Sequence, residues 1–222
     1  MLGWRLMLES EKEAVAAAAR RLAAEGLVLG SAGNVSVLRD GLVAVTPTGA
    51  ILREARAEDV AVVDLAGRQV DGDLAPTSEL PLHLGAYDRG AAGAVVHTHA
   101  PVATALACVL DELPVVHYQM AAFGGPVRVA PYATFGTAEL AQLTLDALEG
   151  RTAALMSNHG TLCIGGDLAA AVDNSLLLEW AATVYWRAST LGAPRLLDSE
   201  QIADYRRTID ERGYRPLQGA RA

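Results

Sequence analysis

The chain has 222 residues, 51% of them hydrophobic and 20% charged, with a formal net charge of −8. That is enough apolar material for one sizeable core, and the acidic balance argues against a nucleic-acid or membrane partner. Two cysteines, Cys108 and Cys163, without CxxC spacing fit a reduced, cytoplasmic protein, and the start, MLGWRLMLESEKE, lacks the basic head and apolar run of a secretory leader.

In chain order, SEKEAVAAAARRLAAEGLV has the acidic opening, alanine-rich body and closing Gly26 of an amphipathic helix. GSAGNVSVLRDGLVAVTPTGA alternates turn residues with short Val-rich runs, predicting a β-hairpin about Asp40-Gly41. DVAVVDLAGRQV predicts a second strand pair turning at Ala66-Gly67, and PTSELPLHLGAYDRG a helix opened by Thr77 or Ser78 with Pro81 in its first turn. The stretch from Gly90 to Leu110 is free of Asp, Glu, Lys and Arg, but its two histidines and central Pro101 make it a buried strand, AGAVVHTHA, and a helix, PVATALACVL, rather than a membrane span. A strand at PVRVAPYA, a helix at TAELAQLTLDALEG, a strand at TAALMSN, a turn at His159-Gly160, a strand at TLCIGG and a long helix from Asp167 to Gly192 complete the pattern. Interleaved strands and helices without repeat or linker predict a single α/β domain over residues 1–222, and the hairpins imply a sheet that is not wholly parallel.

The chain has five histidines, and two of them, His97 and His99, stand one residue apart in VVHTHA. Side chains i and i+2 of a strand share a face, about 6.5 Å apart along the chain, so both can converge on one ion. A His-x-His pair by itself is more often a pair of hydrogen-bonded core residues. His159 in SNHGTL offers a third imidazole, on a turn whose following glycine permits close backbone approach. Three histidines without cysteine match a catalytic zinc site, which keeps one position open, better than a structural one. His83 lies four residues after Glu79, which suits it to orienting that carboxylate, and His117 reads as structural. Seventeen of the eighteen basic residues are arginine; the one lysine, Lys12, sits in a charged segment, a poor setting for a Schiff base.

Taken together, GSAGNVSV, TPTGA, PTSEL, VVHTHA, HYQMAAFGG, APYATFGT, SNHG and the closing GYRPL, in this order from about Glu11 to Leu217, resemble the class II aldolase/adducin-like family, and within it the L-fuculose-1-phosphate aldolases. The resemblance implies a three-layer α/β sandwich with a central, largely antiparallel sheet, assembled as a homotetramer. It implies Zn2+ held by His97, His99 and His159, with Glu79 as acid/base and occasional metal ligand. Asn34, Thr48, Gly49, Thr77 and Ser78 then hold the phosphate. Tyr118, from a neighbouring subunit, stands near the aldehyde oxygen, and Phe135 and Tyr214 border the aldehyde pocket, the latter on a C-terminal tail of residues 205–222. The implied reaction is reversible cleavage of a ketose 1-phosphate, such as L-fuculose 1-phosphate, to dihydroxyacetone phosphate and an aldehyde such as L-lactaldehyde. Relatives act as 4-epimerases, dehydratases or decarboxylases of sugar phosphates, and adducin-like domains lose the ligands. Two departures stand out: Thr77-Ser78 replaces a pair of serines, and Asn158, before the third histidine, is expected to stay clear of the chemistry.

Overall fold

The computed structural model describes residues 2–90 and 92–213, the first six of them as backbone only. Nine strands form one sheet in the order β4-β3-β2-β1-β5-β9-β8-β7-β6. The strands are β1 (Asn34–Arg39), β2 (Leu42–Val45), β3 (Ala61–Asp64), β4 (Gln69–Asp71), β5 (Ala94–Thr98), β6 (Glu112–Leu113), β7 (Val127–Ala130), β8 (Ala153–Met156) and β9 (Gly160–Gly165). The helices are α1 (Leu2–Ala24), α2 (Leu80–Asp88), α3 (Pro101–Ala107), α4 (Ala138–Ala147), α5 (Leu168–Leu191) and α6 (Ser199–Glu211). Every strand pairing is antiparallel except that of β7 with β8.

Local sequence accounts for most of these elements. Asp40 (φ 49°) and Gly41 (φ 80°) both take left-handed backbone angles, the two-residue turn whose twist matches a β1–β2 hairpin. The turn between β3 and β4 is closed by the Asp64 carboxylate, which accepts the backbone N–H groups of Ala66 and Arg68. Thr137 and Asp167 cap α4 and α5 by accepting from Leu140 and Ala170. Two elements lie outside the expected set: the two-residue β6, and α6, opened by a capping box between Asp198 and Gln201. The first helix also begins at Leu2, ahead of the acidic segment taken as its start.

Strand alternation divides the core into two layers. Val35, Ala44, Val62, Ala94, Val96 and Cys163 pack toward α1, α3 and α5. Val43, Val45, Val63, Val95, Leu162 and Ile164 pack with α2 and α4. The result is the expected helix–sheet–helix sandwich. Strand β5 is the middle strand of the nine and is buried along its whole length. Its alternation places Thr98 with the first layer, where its hydroxyl meets that of Thr161 at 2.8 Å, and turns His97 to the α2/α4 face.

The turn after β5 is held from outside. Helix α3 starts at Pro101, and its N-terminal Val102 and Ala103 N–H groups are accepted by the two carboxylate oxygens of Glu179 on α5, at 3.0 and 2.9 Å. This bidentate cap fixes the exit of the strand that carries the histidine pair. Glu179→Ala is expected to lower the unfolding free energy by about 1.5–3 kcal/mol, the range for hydrogen bonds to a charged group; a urea titration with an unchanged midpoint would contradict it.

Candidate metal centre and its cavity

Three strand ends meet at one edge of the two layers. Antiparallel pairing sets Asn34 at the start of β1 beside His97 near the end of β5, and His97 beside Leu162 of β9. The β8–β9 turn carries His159 back over the same edge. Asn158 makes that possible by adopting φ 54°, a left-handed angle that asparagine tolerates, while the His159 N–H returns to the Met156 carbonyl. Gly160 must follow, because a Cβ there would lie 2.3 Å from the Thr98 carbonyl oxygen and 3.1 and 3.3 Å from the rings of His99 and His97. Gly33 is required for a similar reason: at φ 91°, it brings the segment before Asn34 against the His97 carbonyl.

The three rings His97, His99 and His159 surround one point. Their centroids are pairwise 4.9 Å apart, with interplanar angles of 72°, 83° and 82°. One ligand atom from each lies within 4.8 Å of the others, and the Nε2 atoms of His97 and His99 are 3.1 Å apart. Two nitrogens bound to a tetrahedral zinc at about 2.0–2.1 Å stand about 3.3 Å apart. The Nδ1–H of His97 donates to the Thr161 carbonyl at 2.9 Å, which leaves its Nε2 lone pair facing the point of convergence. Glu79, at the N-cap of α2, completes the group with Oε2 3.2 Å from His97 Nε2 and Oε1 3.5 Å from His159 Nε2. That Oε1 is buried with no hydrogen-bond partner. An orphaned buried carboxylate oxygen beside three convergent imidazole nitrogens is what a divalent cation would satisfy, so the donor set fits such an ion.

Electrostatics favours the neutral form of two of the rings. Burial, with neighbouring His97 and His159, pushes His99 down to about 4 against the pull of Glu79. Burial and His97 also lower His159, and they lower His83 to about 3. Glu79 resists ionisation through burial, but the hydrogen bond and charge of His97, the Asn34 amide and His159 outweigh it and hold the carboxyl well below the usual range.

The group sits at the floor of a cavity of about 430 Å³, within the range of small-ligand sites. Asn34, Thr48, Gly49, Thr77, Ser78, Glu79, His99, His159 and Phe135 all line it; His97 lies beneath. The hydroxyl-bearing loops are tied together: Thr77 N–H donates to Thr46 O, Thr48 N–H to Ala75 O, Val35 N–H to Thr46 Oγ1, and Glu79 N–H to Thr77 Oγ1. Among the described residues no lysine or arginine lines this cavity, and the Lys12 ammonium pairs instead with Asp71.

Tyr118, expected at a neighbouring subunit's site, does not line the cavity of its own chain: it is 47% exposed, with its ring against His117 and against Tyr205 of α6. Residues 205–211 of the expected tail are the second half of α6, and Tyr214 lies outside the described residues. Asn158, expected to stay clear, lines the cavity because its turn does. His83 reaches Glu79 only through Asn34, not across one helical turn. His117 caps its own segment by accepting from Gln119 N–H, a structural role. The sequence reading missed Tyr132, 65% exposed on the rim beside Phe135.

The depressed imidazoles have a measurable consequence in metal-free protein. His83 and His99 titrate near their ordinary 6.5 when unfolded but near 3 and 4 when folded, so the unfolded chain binds protons first as pH falls. Stability should therefore decline from about pH 6.5 toward 4, with Glu79 adding its loss only below about 4.5. Equal urea midpoints at pH 7.5 and 5 in chelated protein would contradict this.

With that geometry in hand, comparison with known proteins is specific. The profile of the "Class II Aldolase and Adducin N-terminal domain" matches residues 13–186. The chain is 34% identical over 211 residues to 5-deoxy-D-ribulose 1-phosphate aldolase of Bacillus thuringiensis serovar kurstaki, covering 94% of this chain and 99% of the relative. It is 40% identical over 188 residues to the 5-methylthioribulose-1-phosphate/5-deoxyribulose-1-phosphate aldolase of Rhodospirillum rubrum, covering 83% and 84%. A solved L-fuculose 1-phosphate aldolase superposes with a TM-score of 0.87 at 36% identity, covering 90% of this chain and 96% of that one. The chain therefore belongs to the class II aldolase family.

Proposed function

We propose that the protein is a zinc-dependent aldolase that reversibly cleaves a ketose 1-phosphate between C3 and C4 to dihydroxyacetone phosphate and a small aldehyde. The observation that carries this reading is the convergence of three imidazoles and one carboxylate at the floor of a cavity walled by hydroxyl and amide donors. His97, His99 and His159 would hold the cation, and neutral imidazole ligands would preserve its full charge. A cation there supplies Lewis-acid polarisation of the C2 carbonyl and C3 hydroxyl of the ketose.

The protein residues do the rest. Asn34, Thr48, Gly49, Thr77 and Ser78 bind the phosphate through N–H and O–H groups, aided by the start of α2 just beyond them. Glu79, ionised and close to the reacting carbons, removes the C3 proton of dihydroxyacetone phosphate during condensation and returns it during cleavage. Tyr118 of a neighbouring subunit, in a homotetramer, donates its hydrogen to the C4 oxygen as the carbon–carbon bond forms and recovers it as the bond breaks. Its exposure, and its packing on α6 rather than on its own chain's cavity, support delivery to a second subunit. Tyr214 would border the aldehyde pocket.

The rim favours substrates with an apolar end. Tyr132, Ala133 and Phe135 line the cavity and offer contact area to a methyl group, not charge. A ketose 1-phosphate whose last carbon is a methyl fits that rim. Both 5-deoxyribulose 1-phosphate, which would yield acetaldehyde, and L-fuculose 1-phosphate, which would yield lactaldehyde, belong to this class.

Exchange of the C3 proton of dihydroxyacetone phosphate in heavy water, followed by NMR, is expected for the zinc-loaded protein and should stop on chelation. A zinc-containing protein without exchange would point to an epimerase, dehydratase or decarboxylase instead. Glu79→Gln should keep its zinc and lose exchange by about 10²–10⁴-fold; turnover near wild type would remove Glu79 from the role of base.

A further inference from the structure

Beneath α2 runs a buried chain of polar groups that ends at Glu79. Tyr87 Oη lies 2.5 Å from Ser36 Oγ, and Ser36 Oγ lies 2.6 Å from His83 Nδ1. His83 Nε2 lies 2.5 Å from Asn34 Oδ1, and Asn34 Nδ2 donates to Glu79 Oε2 at 2.9 Å. Ser36 and His83 are fully buried, and Tyr87, Asn34 and Glu79 nearly so. Two elements build the chain: Asn34 and Ser36 share one face of β1, and His83 and Tyr87 are one turn apart on α2.

Chemistry assigns each group a single role. A carboxylate only accepts, so the nitrogen end of the Asn34 amide faces Glu79 and the oxygen end faces His83. A carbonyl oxygen only accepts, so His83 carries its hydrogen on Nε2. Burial keeps that ring neutral, which leaves Nδ1 bare to accept from the Ser36 hydroxyl. Ser36 Oγ in turn accepts from Tyr87, whose phenol burial keeps protonated. Every hydrogen bond in the chain is thus polarised in a fixed sense. Leucine or phenylalanine would fill the space under α2 without the desolvation cost of five polar side chains. The value of the arrangement lies at its open end. The Asn34 amide nitrogen has a second N–H, and Asn34 lines the cavity.

We propose that His83 is a positioning residue that locks the orientation of the Asn34 amide, so that one N–H holds Glu79 while the other faces the substrate phosphate. Phosphate recognition and the placement of the base then depend on the same amide. Without the His83 donor the amide is free to turn over, which sets its carbonyl oxygen against a carboxylate and a dianion. This inference rests on the aldolase reading above.

The test compares wild type, His83→Leu, which keeps bulk but loses the donor, and His83→Gln, whose terminal amide can still donate to Asn34. Each is purified and assayed for zinc content, and C3 proton exchange is measured with dihydroxyacetone phosphate and with unphosphorylated dihydroxyacetone. His83→Leu is expected to keep its zinc, to slow exchange of both compounds about 10-fold, and to lower the preference for the phosphorylated one by about a further 10-fold. His83→Gln should restore that preference to within about threefold of wild type. A His83→Leu protein that loses activity with the preference intact would show a merely structural role and overturn the proposal, as would a His83→Gln protein no better than His83→Leu. Should His83→Leu not fold, Ser36→Ala, which frees the His83 tautomer, takes its place, and an unchanged phosphate preference in it is the overturning result. Absence of exchange in wild type defeats the aldolase reading and this assignment with it. Wild-type exchange beside variants of unaltered preference defeats this assignment and leaves the aldolase reading standing.

Discussion

The register of β5 between β1 and β9 is the constraint on which the site depends. A strand reverses its facing residue at every step, so sliding β5 by one position would present Val96 and Thr98 to the α2/α4 side and turn both imidazoles away. The register is held by apolar demand on both faces, since Val95 and Val96 each belong to a different core layer. It is held also by polar pairs at the strand end, where His97 Nδ1 bonds to the Thr161 carbonyl and the Thr98 hydroxyl to that of Thr161. A fixed middle strand with both neighbours antiparallel brings the start of β1, the end of β5 and the start of β9 to one edge. Glu79 enters that edge from the N-cap of α2. Four segments distant in the chain thereby share a few ångströms without any of them needing a long flexible loop.

Much of this was legible in the sequence because it is local. The hairpin at Asp40-Gly41, the all-buried strand AVVHT and the glycine after His159 each carry their reason in a few neighbouring residues. Three features were not legible for physical reasons. The order of the strands, with β5 central, follows from long-range pairing that no local pattern encodes. The bond from His83 to Asn34 joins residues 49 positions apart, while the i,i+4 spacing to Glu79 suggested a direct contact that the N-cap position of Glu79 does not allow. The place of Tyr118 against α6 depends on packing of a helix that the sequence reading passed over, although the Asp198-x-x-Gln201 box announced it.

The charge pattern separates two tasks that one site must perform. The chain carries a net charge of −8, and the cavity wall has no lysine or arginine among the described residues, yet the proposed substrate brings a phosphate dianion. Under the proposed reading the positive charge is concentrated in a single ion beside the reacting carbons, and the phosphate end is left to neutral donors and the α2 terminus. A lysine or arginine at the phosphate loops would strengthen binding of substrate and transition state alike, which helps affinity more than turnover. An ion placed at C2 and C3 acts where charge develops as the bond breaks.

Under the same reading, neutral ligands would set the strength of that ion, and burial favours the neutral form of two of the three rings. Burial and the charge of neighbouring histidines push His99 down to about 4 and lower His159 as well. His97 has its hydrogen placed by the Thr161 carbonyl, which fixes the ring and the nitrogen that faces inward. If the three imidazoles supply the ligands, as proposed, the single carboxylate in the group would be left to serve as a base. A fourth anionic ligand would have reduced the charge on the ion and occupied the position the substrate needs. The buried Oε1 of Glu79, without a hydrogen-bond partner and 3.5 Å from His159 Nε2, is the oxygen that would take the proton under this division of roles.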